Sequence, residues 1–396
     1  MARIGIDYTA AARQRAGIGR YTRELVTALL TLESLHQYIV FAATGGLETE
    51  SWKLETGRLR ASSRVRFRTL PLSDDWLARL WHRLRLPIPV ETITGSLDVF
   101  YSPDFVLPPT RRATRTLLTV HDLSFLHCPG AFVPALLRYL ERVVPRSISR
   151  ADLVLADSAR TRSDIVSLLG VPPGKVQVLY SGVHPRFQPE PESGEGERLR
   201  TRYGIGDRPY VLSVGTLQPR KNYVRLIQTF AQLANLQTCD LADLQLVIAG
   251  GRGWLYQEIF TEAEKHGDCV HILGFVDEAD LPALYRNAAL FAFPSLYEGF
   301  GLPVLEAMAC GVPVVCSDAS SLPEVAGDAA LLVDPLDTDG LADAMARALE
   351  DADLRREMIV RGLAQASRFT WEQAARQLLT TFDDIRACTS RPSVIY

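Results

Sequence analysis

Short apolar runs alternate with amphipathic stretches along this chain, and the alternation starts twice. The first series predicts strands at Arg3–Ile6, Tyr38–Ala42, Val65–Arg68, Val99–Tyr101, Thr116–Val120, Leu153–Ala156 and Val176–Val178. The second predicts Tyr210–Val214, Gln245–Ile248, Val270–Ile272, Ala289–Ala292, Val314–Cys316 and Ala330–Val333. Helical patterns separate them. Parallel strands need such crossovers, so the expected class is α/β with two doubly wound parallel sheets. A length of 396 residues also exceeds one ordinary domain.

Between the series, prolines 185, 189 and 191 and glycines 194 and 196 stand among acidic residues, a linker-like composition. The expected division is a first domain over 1–182, a linker over 183–208 and a second domain over 209–370. A last amphipathic stretch, 371–390, follows. Two such domains place the carboxyl ends of two sheets face to face, and the cleft between them is the expected ligand site.

No apolar stretch is long enough to span a bilayer, and Met-Ala-Arg-Ile-Gly-Ile-Asp at the start reads as a strand rather than a secretion signal. Six cysteines, at 128, 239, 269, 310, 316 and 388, form no Cys-x-x-Cys pair. Reduced thiols in a cytoplasm are expected. Charge is unevenly distributed. Residues 1–180 hold 24 Lys and Arg against 16 Asp and Glu, while 181–396 hold 19 against 30. Arg79, Arg83 and Arg85 stand with Trp76 and Trp81; Arg111, Arg112 and Arg115 form a second group; Arg138, Arg142, Arg146 and Arg150 recur at helical spacing. Any one group suits a solvated face. Together they predict an anionic partner for the first domain, such as a membrane surface or a lipid-borne acceptor. No nucleic-acid-binding motif accompanies them.

The most informative segment is Ser295-Leu-Tyr-Glu298-Gly-Phe-Gly-Leu-Pro-Val-Leu-Glu306. It follows an expected strand. Glu298 falls in a glycine-bearing loop, Pro303 suits a first helical turn, and Glu306 follows on the helix. Carboxylates accept from sugar hydroxyls, and N–H groups at a helix start attract phosphate. Arg220 and Lys221 close the strand-to-helix stretch that begins at Gly215-Thr216, where adjacent cations suit a diphosphate. His121 ends the strand 116–120, a place for substrate contact or proton transfer. Gly17 and Gly19 precede a helix expected from Tyr21; a Gly-x-Gly pair serves either a phosphate or a tight turn. Ser158 reads as a helix cap, as do Asp337 and Asp351, so no metal is inferred from the Asp-x-Asp triplets.

The pattern Glu-Gly-Phe-Gly-Leu-Pro-x-x-Glu over 298–306 resembles the signature of glycosyltransferase family 4, retaining enzymes of the GT-B fold with two Rossmann-like domains. Gly17-Ile-Gly19-Arg-Tyr, His121-Asp122, Gly215–Asn222, Ala249-Gly-Gly251, Gly274-Phe-Val276 and Phe369-Thr-Trp-Glu372 agree with it. The resemblance is densest from Tyr210 to Pro323. It implies that Glu306 holds the ribose of a nucleotide sugar and that Glu298 contacts the transferred sugar. It places the backbone of Gly299, Phe300, Gly301 and Leu302 on sugar hydroxyls and phosphate, with Arg220 and Lys221 on the leaving diphosphate. Val276 meets the base through its backbone, Gly250 and Thr216 lie along the donor, Gly17 and Gly19 face it from the other domain, and His121 touches the sugar. Many members carry Arg where this chain has Thr216, and Arg220 stands to supply that charge. The C-terminal helix over 371–390 is implied to return to the first domain.

The form Gly-Thr-Leu-x-Pro-Arg-Lys-Asn with Gly-Ile-Gly-Arg-Tyr is similar to bacterial mannosyltransferases of surface-polysaccharide assembly. The expectation is therefore metal-independent, retaining transfer of mannose from GDP-mannose to a saccharide or lipid-linked acceptor. No cofactor is expected, and the place is the cytoplasm or the inner face of the cell membrane. Transfer of glucose or N-acetylhexosamine from a UDP-sugar is the alternative, and a nucleotide-sugar-binding protein without turnover is the rival of a different class.

Overall fold

The computed structural model describes residues 1–14, 17–45, 63–205, 208–235 and 243–387. Cys239, Cys388, the last residues of the expected 371–390 helix and positions 206–207 of the expected linker lie outside them. The chain forms two compact units. One holds Met1–Leu123, Arg138–Gly182 and the chain from Trp371 onward, and the other holds Ser124–Leu137 and Val183–Thr370.

All thirteen expected strands form, with ends within two residues of the apolar runs. In the first unit they are β1 (Arg3–Asp7), β2 (Gln37–Ala43), β3 (Val65–Leu70), β4 (Val99–Ser102), β5 (Arg115–Val120), β6 (Leu153–Ala156) and β7 (Val176–Val178), in the order β3-β2-β1-β4-β5-β6-β7. In the second they are β8 (Tyr210–Val214), β9 (Gln245–Ala249), β10 (Val270–Gly274), β11 (Leu290–Phe293), β12 (Val314–Ser317) and β13 (Leu331–Val333), in the order β10-β9-β8-β11-β12-β13. The ladders are parallel, as in β8 with β9 and β8 with β11. Strand order reverses between β1 and β4 and between β8 and β11, so the loops leaving those strands part and leave a crevice.

Burial on both faces explains the continuous apolar runs. In β8, Val211 joins the core on one face and Leu212 the core on the other. In β11, Leu290 and Ala292 face one core while Phe291 and Phe293 face the opposite one. Each of these central strands thus fills two cores at a period of two.

Two segments differ from the expected division. Residues 183–205 carry a helix, Glu195–Tyr203, with Phe187, Leu199 and Ile205 packed in the second core. Glu195 is buried and takes Arg286 Nη2 at 2.5 Å. The prolines and glycines there mark turns on a packed surface rather than a free tether. The Ser124–Leu137 stretch belongs to the second unit, where Trp254 Nε1 donates to the Ala131 carbonyl at 2.5 Å. The helix Trp371–Ala387 packs within the first unit, with Phe382 edge-on to Tyr101 at 5.9 Å and Trp371 edge-on to Tyr21 at 5.8 Å.

Candidate active site

In the second unit the loops leaving β8 and β11 meet at the point where strand order reverses. Pro219–Lys221 forms one 3-10 turn, and Asn222 ends it in the left-handed region at φ 60°. Asn222 tolerates that backbone better than most residues. Its Nδ2 donates to the carbonyls of Pro294 at 3.0 Å and Pro335 at 2.7 Å, while Leu296 N donates to the Arg220 carbonyl at 2.9 Å. The two loops are therefore stitched together by one backbone hydrogen bond and the Asn222 amide.

That stitching brings three expected residues together. Lys221 Nζ lies 2.6 Å from Glu298 Oε1, and Arg220 Nη1 lies 3.0 Å from Glu298 Oε2. Arg220 also donates to the Tyr297 carbonyl. Burial alone raises a carboxyl pKa, but Arg220 and Lys221 overcome it and hold Glu298 down at about 2. Glu298 is thus a fixed carboxylate at neutral pH and no proton donor. The trio keeps one net positive charge. Lys221 Nζ also sits 4.8 Å from the centre of the Phe293 ring.

The loop after Glu298 is held from β12. Glu298 N donates to Ser320 Oγ at 2.8 Å, and Ser321 Oγ donates to the carbonyls of Glu298 at 2.9 Å and Phe300 at 2.8 Å. Gly301 caps the Leu302–Ala309 helix at φ 111°, where a Cβ would also meet Leu322 Cδ2 at 2.6 Å. The first turn has N–H groups without intrahelical partners, and its positive end faces the 299–302 loop. The Phe300 and Val276 side chains belong to the core, so any contact of theirs with a ligand is through backbone. Glu306 is buried on that helix and accepts from Tyr285 Oη at 2.9 Å.

Gly250 stands where the ends of β8 and β9 touch. A Cβ there would fall 1.9 Å from the Gly215 carbonyl oxygen, and Gly250 N already donates to Gly274 O at 2.8 Å. Its glycine is demanded by strand packing. Thr216 is half-buried beside it, its methyl in the way of any side chain at Gly253.

The first unit gathers its own polar cluster at the carboxyl ends of β1, β4, β5 and β6. His121 Nδ1 lies 2.7 Å from Asp157 Oδ2, and His121 Nε2 lies 2.9 Å from the Pro103 carbonyl. Burial works against a charged imidazole here, but Asp157, Asp104 and the carbonyl outweigh it and raise His121 to about 9. His121 is therefore a held cation whose two ring nitrogens are both occupied within the unit, unlike a residue poised to shuttle protons. Asp7 is pushed up to about 6 by burial, against hydrogen bonds from Thr9. The helix expected from Tyr21 begins at Ile18, with Gly17 as its cap at φ 58°. Gly19 thus lies inside the first turn, where a Cβ would sit 2.0 Å from the Gln14 carbonyl oxygen. Close chain packing accounts for Gly19 without a phosphate.

Asn222, Ser320, Ser321, Tyr285 and Asp157 were not singled out as site residues in the sequence. Asn222 sits beside the flagged Lys221 and Asp157 just past the end of β6; Tyr285 and the serines carry no local signal. Ser158, Asp337 and Asp351 serve as caps, accepting from Thr161 N at 3.0 Å, Gly340 N at 2.9 Å and Leu354 N at 2.9 Å. Arg115 belongs to an internal pair with Asp152 at 3.3 Å rather than to an open basic face.

Known proteins match both units of the chain. The model of the Glycosyltransferase Family 4 domain matches residues 15–187, and that of Glycosyl transferases group 1 matches 196–365. The O-antigen chain mannosyltransferase B of Escherichia coli is 32% identical over 369 residues, 92% of this chain and 95% of that protein. Sucrose-phosphate synthase from Thermosynechococcus elongatus superposes with a TM-score of 0.74 at 20% identity, over 98% of this chain and 100% of that one. Anabaena HepE in complex with UDP-glucose superposes with a TM-score of 0.72 at 20% identity, over 97% and 100%. With both of its parallel-sheet units matched and a full-length relative at this identity, the chain belongs to glycosyltransferase family 4 and is a hexosyltransferase of the GT-B fold.

Proposed function

We propose that this enzyme transfers mannose from GDP-mannose to a saccharide or lipid-linked saccharide in polysaccharide biosynthesis, with retention of anomeric configuration and without a metal. The observation that carries the reading is the buried trio of Arg220, Lys221 and Glu298 at the β8 and β11 ends, with Glu306 on the following helix. The mannosyl donor is supported by likeness to the O-antigen chain mannosyltransferase.

In glycosyl transfer from a nucleotide donor, positive charge grows at the anomeric carbon and negative charge grows on the diphosphate. Arg220 and Lys221 answer the second, being fixed cations in a site that excludes water. Glu298 answers the first: its carboxylate holds the two cations in place and accepts from a sugar hydroxyl. Glu306, oriented by Tyr285, accepts from ribose hydroxyls. The N–H groups at the start of the Leu302–Ala309 helix receive a phosphate. His121, held as a cation by Asp157, acts by placing charge near the sugar.

A panel of GDP-mannose against UDP- and ADP-sugars, read by thermal shift and by slow donor hydrolysis, tests the donor. Stabilisation by a UDP-sugar alone would replace GDP-mannose with the UDP reading. Proton NMR of the first product reports the anomeric configuration, and unchanged turnover in EDTA is the expected result for metal. Binding of donor with no product from any acceptor would favour a binding protein.

A further inference from the structure

In the second unit, the loops leaving β9 and β11 are joined by a segment from earlier in the chain. Ser124–Leu137 belongs to that unit and carries a single helical turn, Ser124–His127, and a 3-10 turn, Pro129–Ala131. It is anchored at two places. His127 lies face to face with Tyr297, with ring centres 4.6 Å apart and planes 19° from parallel. Further on, Phe132 packs on Trp254 at 5.6 Å, and Trp254 Nε1 donates to the Ala131 carbonyl at 2.5 Å.

Tyr297 is in the loop leaving β11, and Trp254 is in the loop leaving β9. Strand β8 stands between those two strands, and its own loop carries Arg220 and Lys221. The segment is thus a strap fixed on either side of the cation-bearing loop. The β9 side is also tied to that loop directly. Leu217 N donates to Gly251 O at 2.9 Å, and Gly253 N donates to Leu217 O at 3.0 Å.

The β11 anchor reaches Arg220 itself. The Tyr297 carbonyl accepts from Arg220 Nη1, and Leu296 N donates to the Arg220 carbonyl at 2.9 Å. Arg220 is therefore aimed by the Glu298 carboxylate and the Tyr297 carbonyl together. A planar guanidinium keeps one direction when a second acceptor stands beside the first. Tyr297 is only 4% exposed, whereas His127 is an exposed residue. The histidine ring covers the tyrosine rather than filling a core. Stacked rings attract one another beyond the area that they bury, so this cover also holds the Tyr297 loop in place.

We propose that His127 is a positioning residue for glycosyl transfer: stacked on Tyr297, it holds the carbonyl that aims Arg220 at the leaving diphosphate. The inference rests on the proposed role of Arg220 in that step. A cation answers growing charge only from the right place, and small displacements in a reacting site cost rate.

Steady-state hydrolysis of GDP-mannose, or of UDP-glucose should the donor panel select it, tests this. His127→Ala is expected to lower kcat about 3- to 10-fold, the loss of one stacked pair, with donor KM and melting temperature close to wild type. His127→Phe keeps a ring on Tyr297 and should restore kcat to within about twofold. Arg220→Gln should be slow by itself. Adding His127→Ala to it should cost nothing further, because the ring acts through Arg220. A wild-type kcat in His127→Ala overturns the proposal. So does a His127→Phe protein as slow as His127→Ala, or a double variant slower than Arg220→Gln by the full factor of His127→Ala. A fall in kcat matched by a fall in melting temperature marks a purely structural contact and also overturns it. A wild-type rate in Arg220→Gln overturns the role of Arg220 and this inference together, whereas a slow Arg220→Gln beside a fast His127→Ala overturns this inference alone.

Discussion

Lys221 Nζ lies 2.6 Å from Glu298 Oε1, and both side chains are more than nine-tenths buried. With Arg220 on the other carboxylate oxygen, one anion serves two cations. The two ends of this arrangement are therefore not equivalent. Glu298→Gln leaves two buried cations facing each other and is expected to cost about 3–5 kcal/mol of stability. Lys221→Met leaves the Arg220–Glu298 pair and a side chain of similar volume, at a cost below about 1.5 kcal/mol. Urea unfolding distinguishes them, and equal losses would disprove the shared-anion arrangement.

Activity should sort the same variants differently. Lys221→Met keeps most of the fold but removes a cation from the growing charge on the leaving diphosphate, a loss of roughly 100- to 1000-fold in kcat. Its KM for donor should move much less. Near-normal kcat in a folded Lys221→Met protein would remove Lys221 from the chemistry.

Tyr285 Oη donates to Glu306 at 2.9 Å in a buried site. Tyr285→Phe leaves that carboxylate oxygen short of a donor, at about 1–3 kcal/mol of stability. On the proposed ribose role of Glu306, the carboxylate also loses the contact that orients it. Calorimetry with GDP should show weaker binding, with kcat at saturating donor little changed. Unchanged GDP affinity would mean that Glu306 is a structural residue only.

What the sequence made legible follows from how locally it was encoded. The central strands were readable because each fills two cores and so is apolar throughout, as Leu290–Phe293 shows; the edge strand Val65–Leu70, with Arg66 and Arg68, was readable from its β-branched and aromatic residues instead. The Arg220, Lys221 and Glu298 grouping was readable because each follows a strand, and parallel strand ends converge. Tyr285, Ser320 and Ser321 were not, because their partners lie 21 to 23 residues away and depend on how two loops pack. The helix at Glu195–Tyr203 was missed for a related reason. Its mean composition is polar, and it is anchored by Leu199, the buried Glu195–Arg286 pair and bonds from Arg198, Arg202 and Tyr203 to Asp280, all of them contacts distant in sequence. Gly19 stayed open in the sequence for the converse reason: a glycine needed for chain packing looks like one needed for phosphate.

Gly250→Ala tests a packing constraint of that kind. Its Cβ would stand 1.9 Å from the Gly215 carbonyl oxygen, and neither strand end can yield without breaking a ladder hydrogen bond. The expected result is a loss of about 2–4 kcal/mol or more, within the range of overpacked and strained backbone sites. Thermal melting of the variant close to wild type would show that the β8 and β9 ends are not in contact.

The two buried ion clusters act on stability at opposite ends of the pH scale. Glu298 has its pKa lowered from 4.5 to about 2, so its contribution is fully present above about pH 4.5 and is lost as pH falls toward 2. At about 1.4 kcal/mol per unit this is roughly 3 kcal/mol. His121 is raised from 6.5 to about 9, so its contribution is fully present below pH 6.5 and is lost as pH rises through 9. The shift is of similar size, and its order of magnitude is again about 3 kcal/mol. For these two groups stability should be greatest between about pH 4.5 and 6.5. Urea midpoints from pH 3 to 10 should fall on both sides of that window. Glu298→Gln should flatten only the acid limb and His121→Asn only the alkaline one. An alkaline limb that persists in His121→Asn would mean that the Asp157 contact does not hold a charged imidazole.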